Sequence, residues 1–214
     1  MADWVTISSL ATAGGTLVLA VATFASVRSA NRAARVAELS LMANLRPLLV
    51  PSRLDDPVQK VPYADEHWDH LPGGSGMAEV TPDAVYLSLS LRNVASGIAI
   101  LDGWRFHAPL ERGAGEMPPL EEFTRLTRDL YIAPDDLGYW HSAFRDPSSP
   151  SFIAAAEAIS SRTAFTIDLL YGDEEGGQRM ITRFALRPRE HDGDMRWMAV
   201  AARHWYVDRA GPRL

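Results

Sequence analysis

Apolar and polar positions follow two different rhythms along this chain. From Trp4 to Val27 there are 24 consecutive residues without a formal charge, among them Leu10, Leu17, Val18, Leu19, Val21 and Phe24. At about 1.5 Å per residue, a helix of that length reaches about 36 Å, more than the ~30 Å of a bilayer's hydrocarbon core. The segment also holds Thr6, Ser8, Ser9, Thr12, Gly14, Gly15, Thr16, Thr23 and Ser26. Hydroxyls of this kind bond back to the helix backbone, and small residues let neighbouring helices approach closely. Residues 1–27 are therefore expected to form a transmembrane anchor that meets the lipid bilayer through residues 4–27. A cleaved signal peptide and a helix buried in a soluble assembly are the alternatives. The opening Met-Ala-Asp-Trp lacks the positive charge that usually begins a signal peptide.

Helical character continues beyond the apolar run. Ser26 to Leu45 contains neither Gly nor Pro, is rich in Ala, Arg and Leu, and stops before Pro47. Residues 28–45 thus predict a juxtamembrane helix. Val27, Ala30, Ala34, Ala37 and Leu41 fall at 3-4 spacing, the pattern of a short coiled-coil seam or of a stripe packed on the protein's own domain. Arg28, Arg32 and Arg35 follow the span directly, and no Lys or Arg precedes it. By the positive-inside rule the N-terminus lies outside and the domain in the cytoplasm.

From residue 46 the period changes to two. Arg-Pro-Leu-Leu-Val-Pro reads as a short first or edge strand, because proline cannot donate to a central ladder. Leu54 to Gly76 is rich in Pro, Asp and Gly and reads as an irregular excursion. Val85, Leu87, Leu89 and Leu91 then alternate with Tyr86, Ser88, Ser90 and Arg92, the mark of a half-buried strand. Ile98–His107 forms a second strand with Trp104 and Phe106 on one face, Gly113–Pro119 a loop, and Thr124–Ile132 a third strand. Leu137–Phe144 has no clear period, and Ser151–Ser161 suits a short helix. Phe165, Ile167, Leu169 and Tyr171 alternate again, which leaves Asp168 on the polar face. Gly-Asp-Glu-Glu-Gly-Gly reverses the chain, and Arg179–Leu186 and Met195–Val207 complete the strands. The expected fold is mainly β: residues 46–214 form an antiparallel β-sandwich or partial barrel with one short helix.

Two features of composition narrow the function. The chain has no cysteine, which excludes disulfides, thiolate metal sites and a cysteine nucleophile. The net charge is −6, with 18 basic and 25 acidic residues beyond Leu45. So acidic a domain suits no nucleic-acid partner.

The succession of span, Arg-rich helix, Leu45-Arg-Pro-Leu-Leu-Val and Leu91-Arg-Asn-Val-Ala-Ser-Gly-Ile-Ala is followed by Asp168-Leu-Leu-Tyr-Gly-Asp and Thr182-Arg-Phe. It resembles uncharacterised bacterial single-pass membrane proteins that carry an immunoglobulin-like β-sandwich. The resemblance implies architecture and brings no activity with it.

Candidate chemistry is sparse. Glu66-His67-Trp68-Asp69-His70 interleaves two imidazoles with carboxylates and could supply metal ligands, although its Pro/Gly-rich surroundings favour a solvated loop. His141 beside Tyr139 and Trp140, and His204 beside Trp205 and Tyr206, could line a ligand pocket or sit at the margin of an aromatic core. Asp173-Glu174-Glu175 lacks the order of a calcium loop, and the chain has no nucleophile-elbow or phosphate-loop motif. These absences favour no catalysis, no cofactor and no metal. The expected function is a membrane-tethered interaction or scaffold module, or an accessory subunit of a membrane complex. Its partner would be a protein at the cytoplasmic membrane face or a second copy of the chain. The rivals are a small-ligand sensor with a pocket near Trp104, Trp140 or Trp205, and a metal-dependent enzyme using Glu66–His70.

Overall fold

A computed structural model describes residues 3–108, 110, 115–191 and 193–208. The first residues of the expected Gly113–Pro119 loop lie outside these. The chain divides into two units, one ending at Asn44 and the other beginning at Leu45.

The first unit is a single helix, α1 (Asp3–Asn44), of 42 residues. It joins the expected anchor and the juxtamembrane helix without a break, because nothing between Ser26 and Asn44 interrupts the backbone ladder. The hydroxyls of Thr12 and Thr16 donate to the carbonyls four residues earlier, at 2.9 and 2.8 Å, so neither needs water. Leu10, Leu17, Leu19 and Phe24 are each more than 65% exposed. One helix is thus long and apolar enough to cross a membrane.

The second unit is mainly β and antiparallel, as expected. Its strands are β1 (Leu49–Pro51), β2 (Gln59–Pro62), β3 (Trp68–Leu71), β4 (Ser75–Val80), β5 (Val85–Asn93) and β6 (Ala99–His107), followed by β7 (Thr124–Ile132) and β8 (Leu137–Phe144). The short helix α2 (Pro150–Ser160) intervenes before β9 (Phe165–Gly172), β10 (Met180–His191) and β11 (Asp194–Tyr206). Nine strands form one sheet in the order β8-β5-β4-β11-β10-β9-β6-β7, with β1 sharing an edge of β5 with β4. The sheet folds over on itself, so strands far apart in this order face each other across one core. Trp104 of β6 meets Trp140 of β8 with ring centroids 5.1 Å apart, and Phe106 meets Phe144 at 5.8 Å. Bulges at Leu101/Gly103 and Arg183/Phe184 supply local bending. Helix α2, capped by the Ser149 hydroxyl and begun by Pro150, buries Phe152, Ala155 and Ala158 in the same core.

Three expectations need correction. Leu54–Gly76 is not wholly irregular: β2 and β3 pair as a separate two-stranded ribbon, and β4 begins at Ser75. Leu137–Phe144 is a strand paired along β5 from Val85 to Arg92. The polar faces of β5 and β9 are not solvated, since Ser88, Ser90 and Asp168 are at most 1% exposed. The β2–β3 ribbon covers the β5 serines, while Arg105 and Arg183 cover Asp168.

Candidate functional site

The ribbon creates the most unusual chemistry in the domain. Strand alternation turns Asp69 inward and leaves Trp68 and His70 exposed. The buried carboxylate of Asp69 accepts the Tyr63 hydroxyl at 2.7 Å and the Ser88 hydroxyl at 3.2 Å, both on Oδ2. Burial, and then the adjacent Asp69 charge, holds the Tyr63 phenol well above its usual range, so it remains the donor. Just upstream, Glu66 adopts a positive φ of 64° in the turn between β2 and β3, a conformation rare outside glycine. The turn delivers His67, whose ring stacks on Tyr86 with centroids 4.0 Å apart. Tyr86 is itself anchored by donating to Asp65 at 2.8 Å. Glu79 arrives from β4, and the His67 Nε2 lies 3.4 Å from Asp69 Oδ1 and 3.2 Å from Glu79 Oε2. The ligand atoms of His67, Asp69 and Glu79 all fall within 4.8 Å of one another.

Of the stretch Glu66–His70, the structure therefore brings only His67 and Asp69 together. Glu66 and His70 are exposed, and Trp68 lies under the Lys60 ammonium, 4.3 Å from the ring centroid. The solvated-loop expectation fails for Asp69 because the ribbon packs it on β5. Glu79 and Tyr63 were not singled out from sequence. The alternation of Met77 and Glu79 with Ala78 was the available signal, and neighbouring Gly and Pro residues obscured it.

A second feature lies beside this cluster. A cleft of about 560 Å³ opens where β7 and β8 approach, lined by Tyr63, Trp104, Arg128, His141, Phe144 and Arg145, among others. The His141 ring meets Tyr63 edge-on at 4.9 Å, and its Nε2 contacts the Arg128 guanidinium. Burial first, and the Arg128 charge second, depress the His141 pKa to about 4. This makes a pH prediction. An unfolded imidazole titrates near 6.5, whereas the folded one resists protonation down to about 4. The unfolded chain binds the proton first, so stability falls as pH drops through that window. His204, also depressed by burial, adds to the same slope. Denaturant melts of His141→Asn between pH 4 and 7 should show a shallower loss than the wild type; an unchanged slope would contradict the assignment.

The remaining candidates have structural places. His204 Nδ1 pairs with the Thr182 hydroxyl at 2.8 Å, which in turn contacts the Tyr171 hydroxyl at 2.8 Å. Trp140 is fully buried in the core, and the Arg183 and Arg203 guanidinium groups lie over the Trp205 ring. Of the three tryptophans expected near a pocket, only Trp104 lines the cleft. Asp173 accepts the backbone N–H groups of Gly177 and Gln178 at 2.9 and 3.2 Å, which makes it a turn-former between β9 and β10. Glu174 and Glu175 are exposed in that turn.

No family model matches the chain, and no curated protein matches it. A solved structure described as "Crystal structure of protein from Archaeoglobus fulgidus" aligns with 63% of this chain and 95% of its own, at 10% identity and a TM-score of 0.24, a likeness too slight to carry an argument.

Proposed function

We propose that the protein is a membrane-tethered interaction module, without catalysis, that holds a partner at the cytoplasmic face of the membrane. The observation that carries this reading is the exposed apolar surface of α1, from Leu10 to Phe24. Leaving so many large apolar side chains in water would cost on the order of 1.5–3 kcal/mol each, and lipid removes that cost. Arg28, Arg32 and Arg35 at the end of the span support a cytoplasmic domain. The resemblance to bacterial single-pass proteins with an immunoglobulin-like domain supports the same arrangement.

Orientation is tested by protease added to intact spheroplasts. The domain should survive until the membrane is lysed, and digestion beforehand would reverse the topology. The partner is either another protein or a second copy packed along Val27, Ala30, Ala34, Ala37 and Leu41. Because the chain has no cysteine, Ala34→Cys gives a clean reporter. A disulfide-linked dimer under mild oxidation identifies a self-assembling module, and a monomer that instead retains a co-purifying protein identifies an accessory subunit.

One observation favours a second reading. The cleft beside Trp104 and His141 falls within the roughly 300–1,000 Å³ range of small-molecule sites. In that case the domain senses a ligand, and a small molecule that co-purifies with the wild type should be lost from Arg145→Ala.

A further inference from the structure

We propose that His67, Asp69 and Glu79 form a site for a single divalent metal ion, zinc in the first place. Three observations converge on it. The first is distance. Donors held about 2.0–2.1 Å from a tetrahedral zinc lie about 3.3 Å from each other. The His67 Nε2 stands 3.2 Å from Glu79 Oε2 and 3.4 Å from Asp69 Oδ1.

The second is the state of the nitrogen. His67 Nε2 is shielded from solvent yet makes no hydrogen bond among the described residues. Neither carboxylate oxygen lies in line with it as an acceptor, despite their closeness. A shielded ring nitrogen within 3.4 Å of two carboxylate oxygens but hydrogen-bonded to neither suits a cation shared among the three.

The third is charge. Asp69 has a side chain only 3% exposed, and among the described residues no Lys or Arg forms an ion pair with it. Among the described residues, the other deeply buried carboxylate, Asp168, has two arginines against it. A buried carboxylate without a fixed counter-ion is costly, and a divalent ion removes that cost. The outer shell is also in place. Tyr63 and Ser88 both donate to Oδ2 of Asp69 and so leave Oδ1 turned toward the cluster, while Tyr86 fixes the imidazole plane by stacking.

Nitrogen and carboxylate donors in this number fit zinc, whose three-ligand sites keep a fourth position for water, and Glu79 at 47% side-chain exposure leaves the site reachable from solvent. The ion joins the turn between β2 and β3 to β4, and so clamps the ribbon to the main sheet. Metal binding is independent of membrane anchoring, so either can fail alone.

The test uses the full-length protein, purified without a histidine tag in mild detergent, stripped with a chelator and titrated with zinc chloride at pH 7.5. One zinc per chain should bind and raise the thermal midpoint. Glu79→Gln alters a half-exposed side chain and should fold normally, yet bind at least about tenfold more weakly. His70→Ala, outside the cluster, should bind like the wild type. Cobalt in place of zinc should give a visible absorption band that Glu79→Gln abolishes. No zinc binding by the wild type, equal affinity in Glu79→Gln, or loss of binding in His70→Ala would overturn the proposal. The cluster would then be a set of polar contacts that holds the ribbon against β4 without a metal ion.

Discussion

Asp168→Asn is expected to cost the domain about 3–5 kcal/mol, the range for breaking one side of a buried ion pair. Alternation along β9 puts Asp168 on the face away from the aromatic core, where a solvated carboxylate would tolerate the change. The structure keeps it on that face but buries it. Arg183 donates through Nε and Nη2 at 2.7 and 2.8 Å, one bond to each carboxylate oxygen, and Arg105 Nε stands 3.5 Å away. Asp168 is 1% exposed and Arg183 3%, so solvent screens the pair little. Asparagine keeps the volume but turns an N–H group toward a guanidinium and leaves a buried cation without its charge partner. Urea unfolding should show the midpoint falling with little change in slope. Replacing both partners, as Asp168→Leu with Arg183→Met, should recover much of the loss, because the buried guanidinium leaves with its carboxylate and Arg105 keeps Glu122 at 2.6 Å. A loss below about 1 kcal/mol for Asp168→Asn would put the pair in the weak surface class.

Leu89→Asp should be at least as severe, above about 4 kcal/mol, because it buries an unpaired charge in a packed core. Leu89 is fully buried and sits between Gly76 of β4 and Trp140 of β8. Ile167→Asp, at an equally buried site on β9, should match it. The informative comparison is Ser88→Asp, on the opposite face of β5. A strand with one wet face would accept it. Here Ser88 is fully buried and its hydroxyl lies 3.2 Å from Asp69 Oδ2, so the new carboxylate meets an existing one. Both faces should therefore fail in thermal melts. A mild Ser88→Asp would mean that the β2–β3 ribbon does not cover β5.

These two residues show what periodicity can and cannot reveal. The alternation Val85-Leu87-Leu89-Leu91 located β5 and its core face correctly, because burial on one side selects every second residue. It could not show that a ribbon from Gln59–Leu71 would cover the other side, since Ser88 and Ser90 look the same in water or under a hydroxyl network. That ribbon was hidden by Pro57, Pro62, Gly73 and Gly74, which read as breakers although three of them flank strands and Pro62 ends one. Strand β8 was missed because Trp140 is its one fully buried residue and no alternation surrounds it. The helices were the easiest elements to read: α1 from the uncharged run Trp4–Val27 continued by Ser26–Leu45 without Gly or Pro, and α2 as Ser151–Ser161, although Pro150 reads as a loop residue and is in fact the first of the helix. Two of the three residues of the proposed metal cluster, His67 and Asp69, were visible in the sequence. Glu79 was not, because it comes from β4 of the main sheet, which meets the ribbon in space at a sequence spacing that no short motif records.

The central claim is that α1 holds this domain at a membrane, and fractionation without detergent tests it most directly. Full-length protein should sediment with membranes, resist extraction by high salt and alkaline carbonate, and enter solution only with detergent. The same chain lacking residues 1–27 should remain in the supernatant. Full-length protein that is soluble and monodisperse without detergent would contradict the account, because α1 would then have to bury its apolar surface against protein.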